Sequence, residues 1–219
     1  MTDYASYIDS TLLKPDATQE EISALCKEAR GFKFKSVCVN PSRIALAKRL
    51  LEGSGVGVVT VIGFPLGATL GKSKAFEAKE SIREGADEVD MVINIGKVKD
   101  HDWDFVTEDI REVREAAGNH VLKVILECCL LTDEEKVKAC ECAARAKADF
   151  VKTSTGFAKG GATVHDVSLM AKAVRGKLGV KAAGGIRDGK TMLSLIQAGA
   201  TRIGTSHGAQ LLKDLGAKL

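Results

Sequence analysis

The chain has little of what marks membrane, disulfide-built or nucleic-acid-binding proteins. Its 219 residues include one tryptophan, two tyrosines and three prolines, and no apolar run approaches the roughly 20 residues of a bilayer span. Met1 to Lys14 lacks both the apolar core of a signal peptide and the arginine-rich, acid-poor character of a transit peptide, so a cytoplasmic location is expected. Charge of one sign is never collected into a block: 32 basic and 29 acidic residues are mixed along the chain, for a net charge of +3. Without a basic stripe interleaved with aromatics, neither nucleic acid nor membrane is expected as a partner. The six cysteines (Cys26, Cys38, Cys128, Cys129, Cys140 and Cys142) form no CxxC pair, and a chain of this length builds a core without staples, so all read as reduced thiols. Cys140 and Cys142 lie two apart on a helical stretch and point in different directions. Histidines 101, 120, 165 and 207 show no ligand spacing, so no metal or cofactor is expected.

What is present is a regular alternation. Thr18 and Glu21 form a capping-box pattern that opens an amphipathic run to Arg30. Strands are then expected at Lys35–Asn40, Gly57–Ile62, Glu88–Asn94, Val121–Glu127, Asp149–Thr153, Val180–Ala183 and Thr201–Thr205, with a helical pattern after each of the first six. Counting a short segment at Tyr4–Asp9 gives eight strands. Strands that alternate with helices demand a parallel sheet, and eight such units point to a closed (β/α)8 barrel, with a doubly wound open sheet as the alternative. One domain covering residues 1–219, led by a short helical segment, is the expected organisation. Three helix-to-strand joints repeat one pattern: Gly85-Ala86-Asp87, Lys147-Ala148-Asp149 and Gly199-Ala200-Thr201.

The chain is arranged, in chemical terms, around Ala148-Asp149-Phe150-Val151-Lys152-Thr153-Ser154-Thr155-Gly156. Strand alternation puts Phe150, Lys152 and Ser154 on one face, so Lys152 either reaches solvent or sits desolvated in a site. Desolvation lowers an ammonium pKa and makes the amine a nucleophile. Barrel enzymes work at the C-terminal ends of their strands, where Asp9, Cys38, Asp90, Asn94, Lys123, Glu127, Lys152 and Lys181 are expected. Lys152 and Lys181 fall on adjacent strands, close enough for each to disfavour the other's charge, and spacing alone leaves open which one attacks. Asp90 reads equally as a proton carrier or as a buried ion-pair partner. The loops Gly184-Gly185-Ile186-Arg187 and Gly204-Thr205-Ser206, together with Thr155-Gly156, occupy the usual phosphate-cradle positions of such barrels.

These motifs carry a resemblance over nearly the whole chain. Asp9-Ser10-Thr11-Leu12-Leu13-Lys14-Pro15, Ser36-Val37-Cys38-Val39, Gly63-Phe64-Pro65-Leu66-Gly67 and Glu88-Val89-Asp90-Met91-Val92-Ile93-Asn94 open the match. Lys123-Val124-Ile125-Leu126-Glu127, Val151-Lys152-Thr153-Ser154-Thr155-Gly156 and Lys181-Ala182-Ala183-Gly184-Gly185-Ile186-Arg187 complete it. Together they resemble the deoxyribose-phosphate aldolase family, class I aldolases on a (β/α)8 barrel.

The resemblance implies cofactor-free, reversible cleavage of 2-deoxy-D-ribose 5-phosphate to acetaldehyde and D-glyceraldehyde 3-phosphate in deoxyribose catabolism, by a homodimer. It implies Lys152 as the Schiff-base lysine and Lys181 with Asp90 as a proton relay. Asp9, Thr11, Cys38 and Lys123 are then expected around the substrate, and Thr155, Gly156, Gly184, Gly185, Arg187, Gly204, Thr205 and Ser206 at its phosphate end. The departures are Ser10 where many members have histidine, Cys128-Cys129 where threonine is usual after Glu127, Phe157 where some relatives have lysine, and His207 where a second hydroxyl is common. Competing expectations are an isomerase or a different lysine aldolase on a phosphosugar barrel, and a phosphosugar-binding barrel without turnover.

Overall fold

A computed structural model describes residues 3–216. The alternation closes into one barrel of eight parallel strands in chain order: β1 (Ile8–Leu12), β2 (Ser36–Val39), β3 (Gly57–Ile62), β4 (Glu88–Val92), β5 (Val121–Ile125), β6 (Phe150–Lys152), β7 (Gly179–Ala183) and β8 (Arg202–Thr205). Outside it lie α1 (Gln19–Phe32), α2 (Ile44–Leu51), α3 (Gly71–Arg83), α4 (Ile95–Lys99), α5 (Trp103–Ala117), α6 (Asp133–Arg145), α7 (Val164–Val174), α8 (Gly189–Gln197) and α9 (Gly208–Asp214). No helix among the described residues is long and apolar enough to cross a membrane.

Helix starts follow local side-chain chemistry. Thr18 and Thr132 each close a full capping box, with Glu21 and Glu135 three residues on, which satisfies two otherwise orphaned backbone donors per helix. The buried stripe of α1, Ile22, Cys26 and Ala29, has the spacing of one helical face turned to the strands. The three repeated joints share one function. Asp87 accepts the Val58 N–H, Asp149 accepts the Leu122 N–H and Thr201 Oγ1 accepts the Val180 N–H, so each incoming strand is pinned to its predecessor by a side-chain oxygen. Gly85 and Gly199 have positive φ, as expected past a helix. Lys147 takes the same left-handed conformation at φ 60°.

Some boundaries differ from the sequence reading. Tyr4–Tyr7 is a 3-10 turn, and the first strand runs later, over Ile8–Leu12. Strand β4 stops at Val92 because the Asn94 side chain accepts the Lys97 N–H and starts α4, an element not anticipated. Strand β6 is only three residues long. All six cysteines are free, with only Cys129 exposed.

The loop between β3 and α3 is held against the end of β4 by backbone. A Cβ built on Gly67, at φ +67°, would lie 2.0 Å from the Ile93 carbonyl oxygen. Beneath it Lys74, wholly buried, donates to the Val92 carbonyl at 3.0 Å and to Asp109 at 2.6 Å. Gly67→Ala should therefore destabilise the protein by at least about 2 kcal/mol in urea unfolding. An unchanged midpoint would mean that the loop yields freely.

Candidate active site

Inward positions of a barrel like this are normally filled by branched apolar side chains. Here many of them carry ions. Strand register aligns Asp90 with Lys123, and Lys152 with Lys181 and then Arg202; in-register residues of parallel strands point the same way. Asp90 is fully buried and sits among three ammonium groups: Lys123 at 2.8 Å from Oδ1, and Lys152 and Lys181 at 2.9 and 2.8 Å from Oδ2. Lys123 also reaches Glu88 at 2.5 Å, and Lys181 reaches Asp9 at 2.5 Å. Arg202 closes the network below, 2.8 Å from Asp9 and 3.0 Å from Glu88, while Ser36 donates to Asp9 at 2.6 Å.

These partners decide the proton affinities. Burial pushes the Asp90 carboxyl up, but Lys123, Lys152 and Lys181 outweigh it and hold Asp90 well below the usual carboxylate range. Asp9 is lowered in the same way: burial raises it, and Lys181, Lys123 and Arg202 prevail. Burial works against the Lys181 charge too, yet Asp9 and Asp90 raise it above the ordinary lysine value. Lys152 goes the other way. Burial lowers it, Asp90 opposes, and the Lys181 charge adds to the lowering.

Above this cluster lies a cavity of about 340 Å³ at the C-terminal ends of β1, β6, β7 and β8. Lys152 lines it, with Thr11 on one side. Thr155, Gly156, Gly184 and Gly185 form another wall, and Arg187, Gly204, Thr205 and Ser206 complete the rim. Asp9, Cys38, Asp90, Lys123 and Lys181 do not line the cavity; they are buried beneath it. Cys38 packs with Leu13, Val59 and Val61, covered by Phe64, and burial raises its thiol pKa. The rim hydroxyls differ in availability. Thr205 Oγ1 donates to the Ile186 carbonyl and accepts the His207 N–H, and Thr155 Oγ1 bonds the Glu127 carboxylate. Ser206 is exposed, with its Oγ 3.0 Å from His207 Nδ1.

Backbone geometry keeps the glycine-rich walls thin. Gly156, Gly184 and Gly185 all have positive φ, and a Cβ on Gly161 would lie 2.3 Å from the Gly184 carbonyl oxygen. Glu127 adopts a left-handed conformation at φ 56° and turns back to accept the Thr155 N–H. Phe157 meets the Phe64 ring edge-on, with centroids 5.1 Å apart. This aromatic contact reaches the cavity through Phe157, which lines it.

Residues 5–215 match the model of the DeoC/LacD family aldolases. The chain belongs to this family. It is 58% identical over 214 residues to the deoxyribose-phosphate aldolase of Macrococcus caseolyticus, covering 98% of this chain and 97% of that one. The enzyme of the same name from Brevibacillus brevis is 58% identical over 206 residues, covering 94% and 93%. Among solved structures, the tetrameric deoxyribose phosphate aldolase of Aeropyrum pernix superposes with a TM-score of 0.91 at 35% identity, over 97% of this chain and 91% of that one.

For an aldolase, the interior is notable for two members the sequence reading left out of the site, Arg202 and Glu88. Both open their strands. The signal for Arg202 was its alternation with Gly204, which puts a charge on the inward face of β8. Glu88 likewise shares the inward face of Asp90.

The low carboxyl pKa values have a consequence for stability. With folded values below the unfolded one near 4, the unfolded chain binds more protons as the pH falls. Asp9 and Asp90 thus stabilise the fold fully above about pH 5 and progressively less below about pH 4. Asp90→Asn should lose about 3–5 kcal/mol at pH 7 and show a shallower decline between pH 5 and pH 2, measured by chemical denaturation. A variant with the wild-type acid slope would refute the assignment.

Proposed function

We propose that this aldolase cleaves 2-deoxy-D-ribose 5-phosphate reversibly to acetaldehyde and D-glyceraldehyde 3-phosphate, with Lys152 as the Schiff-base nucleophile. One observation carries the reading: of the three lysines around Asp90, Lys152 alone lines the cavity, and burial there lowers its pKa. The names of the relatives, deoxyribose-phosphate aldolase, supply the substrate.

The neutral Lys152 amine attacks the aldehyde carbon of the open-chain sugar, and loss of water gives a protonated imine. That cation withdraws the electron pair of the bond between the second and third carbons. The hydroxyl on the third carbon gives up its proton, the bond breaks, and glyceraldehyde 3-phosphate departs. What remains on Lys152 is an enamine of acetaldehyde, which takes a proton at its terminal carbon and is hydrolysed by water. Asp90 and Lys181 act as the acid–base pair in these transfers. Lys181, held charged by Asp9 and Asp90, supplies protons, and Asp90 oxygens within 3 Å of both Nζ atoms give a short path.

The phosphate is read as lying among Gly156, Gly184, Gly185, Gly204 and Ser206, whose backbones lie at the cavity wall without intervening side chains, with Arg187 exposed at the rim. Asp9, Thr11, Cys38, Lys123, Thr155 and Thr205 are read as shaping the pocket. Of these, Thr11, Thr155 and Thr205 border the cavity, and the other three support it from below. The enzyme is read as a cytoplasmic homodimer, twofold assembly being the commonest symmetric choice; the exposed Leu66, Leu70 and Phe76 offer apolar surface for a partner copy.

Borohydride trapping with acetaldehyde should leave the ethyl adduct on Lys152, and Lys152→Arg should reduce kcat by at least about 1,000-fold, because a guanidinium stays protonated and forms no imine. An adduct on Lys181, or substantial turnover by the variant, would reverse the assignment. At the other end of the cavity, Ser206→Ala removes a hydrogen-bond donor to a charged group and should raise KM for the phosphorylated sugar about tenfold. KM for unphosphorylated 2-deoxyribose should stay unchanged; equal effects on both sugars would place the hydroxyl away from the phosphate.

A further inference from the structure

The charges joined by ion pairs inside the barrel do not balance; the buried Glu127 carboxylate stands apart from them, bonded to Thr155. Four cationic side chains, Lys123, Lys152, Lys181 and Arg202, meet three carboxylates, Asp9, Glu88 and Asp90, and all are buried. An unpaired charge in such an interior is strongly unfavourable, and the excess is removed when one lysine releases its proton, which a guanidinium cannot do. The contacts select the lysine. Lys123 lies between Glu88 and Asp90, and Lys181 lies between Asp9 and Asp90. Lys152 pairs with Asp90 alone, on an oxygen that Lys181 already shares.

We infer that Arg202 is a positioning residue for charge: as a permanent fourth cation two strands from Lys152, it makes Lys152 the neutral amine of the network. The inference rests on the reading of Lys152 as nucleophile. Register places Arg202 beside Lys181, which stands beside Lys152, so its backbone lies about 10 Å from that of Lys152. Arg202 does not line the cavity; it acts through the carboxylates it occupies.

Its own position is fixed on several sides. Nη1 and Nη2 lie 3.0 and 3.4 Å from the two Glu88 oxygens, and Nη1 is 2.8 Å from Asp9. The guanidinium stacks 5.2 Å from the centre of the Phe150 ring. That ring has room because residue 179 is glycine: a Cβ there would come within 2.3 Å of it. The groups that face Lys152 itself are Asp90 from β4, Lys181 from β7 and the Cys38 thiol from β2. With Arg202 uncharged, three lysines and three carboxylates balance fully ionised, and Lys152 keeps its proton to higher pH.

The test is the pH dependence of borohydride trapping with acetaldehyde, with the adduct mapped by mass spectrometry, for wild type, Arg202→Met, Arg202→Lys and Glu88→Gln. Arg202→Met should move the acid limb of the trapping rate up by about one pH unit. Arg202→Lys keeps a cation and should hold the limb close to wild type. Glu88→Gln removes an anion from the same network and should move it down. A loss of packing alone would slow the lysine and methionine variants together without moving either limb, and that result overturns the inference. Should Arg202→Met fail to fold by circular dichroism, Glu88→Gln decides: a downward limb supports the inference, and an unmoved or upward limb overturns it. An adduct on Lys152 with unmoved limbs refutes only the role of Arg202, whereas an adduct on another lysine overturns the nucleophile assignment as well.

Discussion

The carboxylate of Asp90 is the constraint on which the rest of the interior depends. It is buried without access to water, and it stays ionised because lysine side chains surround it at hydrogen-bonding distance. Each lysine comes from a different strand, so the pairing also fixes how β4, β5, β6 and β7 meet at the centre of the barrel. Interactions of this kind are weak sources of net stability, because desolvation consumes much of the attraction. Their value here lies in specifying proton positions. One carboxylate shared unequally among three amines leaves one of them less well compensated than the others, and that one borders the cavity.

The same division runs along the barrel axis. Apolar side chains pack the helices against the outside of the sheet, with Ile8, Val58, Val89, Leu122 and Val151 all buried in that layer, and the ions lie inside beside the small apolar group of Leu13, Cys38, Val59 and Val61. Above the ions the walls thin to glycine, hydroxyl and backbone, which suits a phosphate that must be reached by many short donors. An electrophile bound by its phosphate at the rim would extend downward toward Lys152. The cavity therefore runs from an anion-compatible end to an amine, and Asp90 and Lys181 lie beneath the amine, shielded from solvent.

Much of this was legible in the chain. The alternation of strands and helices, the inward face shared by Phe150, Lys152 and Ser154, and the glycine loops after the last two strands all follow from period and turn chemistry. The boundaries that shifted did so for local reasons. Asn94 could be read as the last residue of a strand, yet its side chain is more useful as a helix cap, and a single hydrogen bond to Lys97 ends β4 early. Lys147 offers no glycine to mark its left-handed turn, which is imposed by the packing of Ala148 and the anchoring of Asp149 on Leu122. Cys38 and Lys123 lie at the strand positions where the sequence suggested contact with substrate, but burial depth is a property of the closed barrel.

The sequence by itself determined the class of fold, the strand that carries Lys152 and the aldolase resemblance, because each is written in short-range pattern: alternation, spacing and motif. It also put Lys152 and Lys181 on neighbouring strands. What only the tertiary structure decided is which amine is least compensated by carboxylates. That depends on closure, which brings Lys181 and Arg202, from the last two strands, against Asp9 from the first and places Asp90 between its partners. Coulomb interactions in a poorly screened interior act over distances set by the fold rather than by the chain, so residues far apart in sequence settle the proton affinity of one amine.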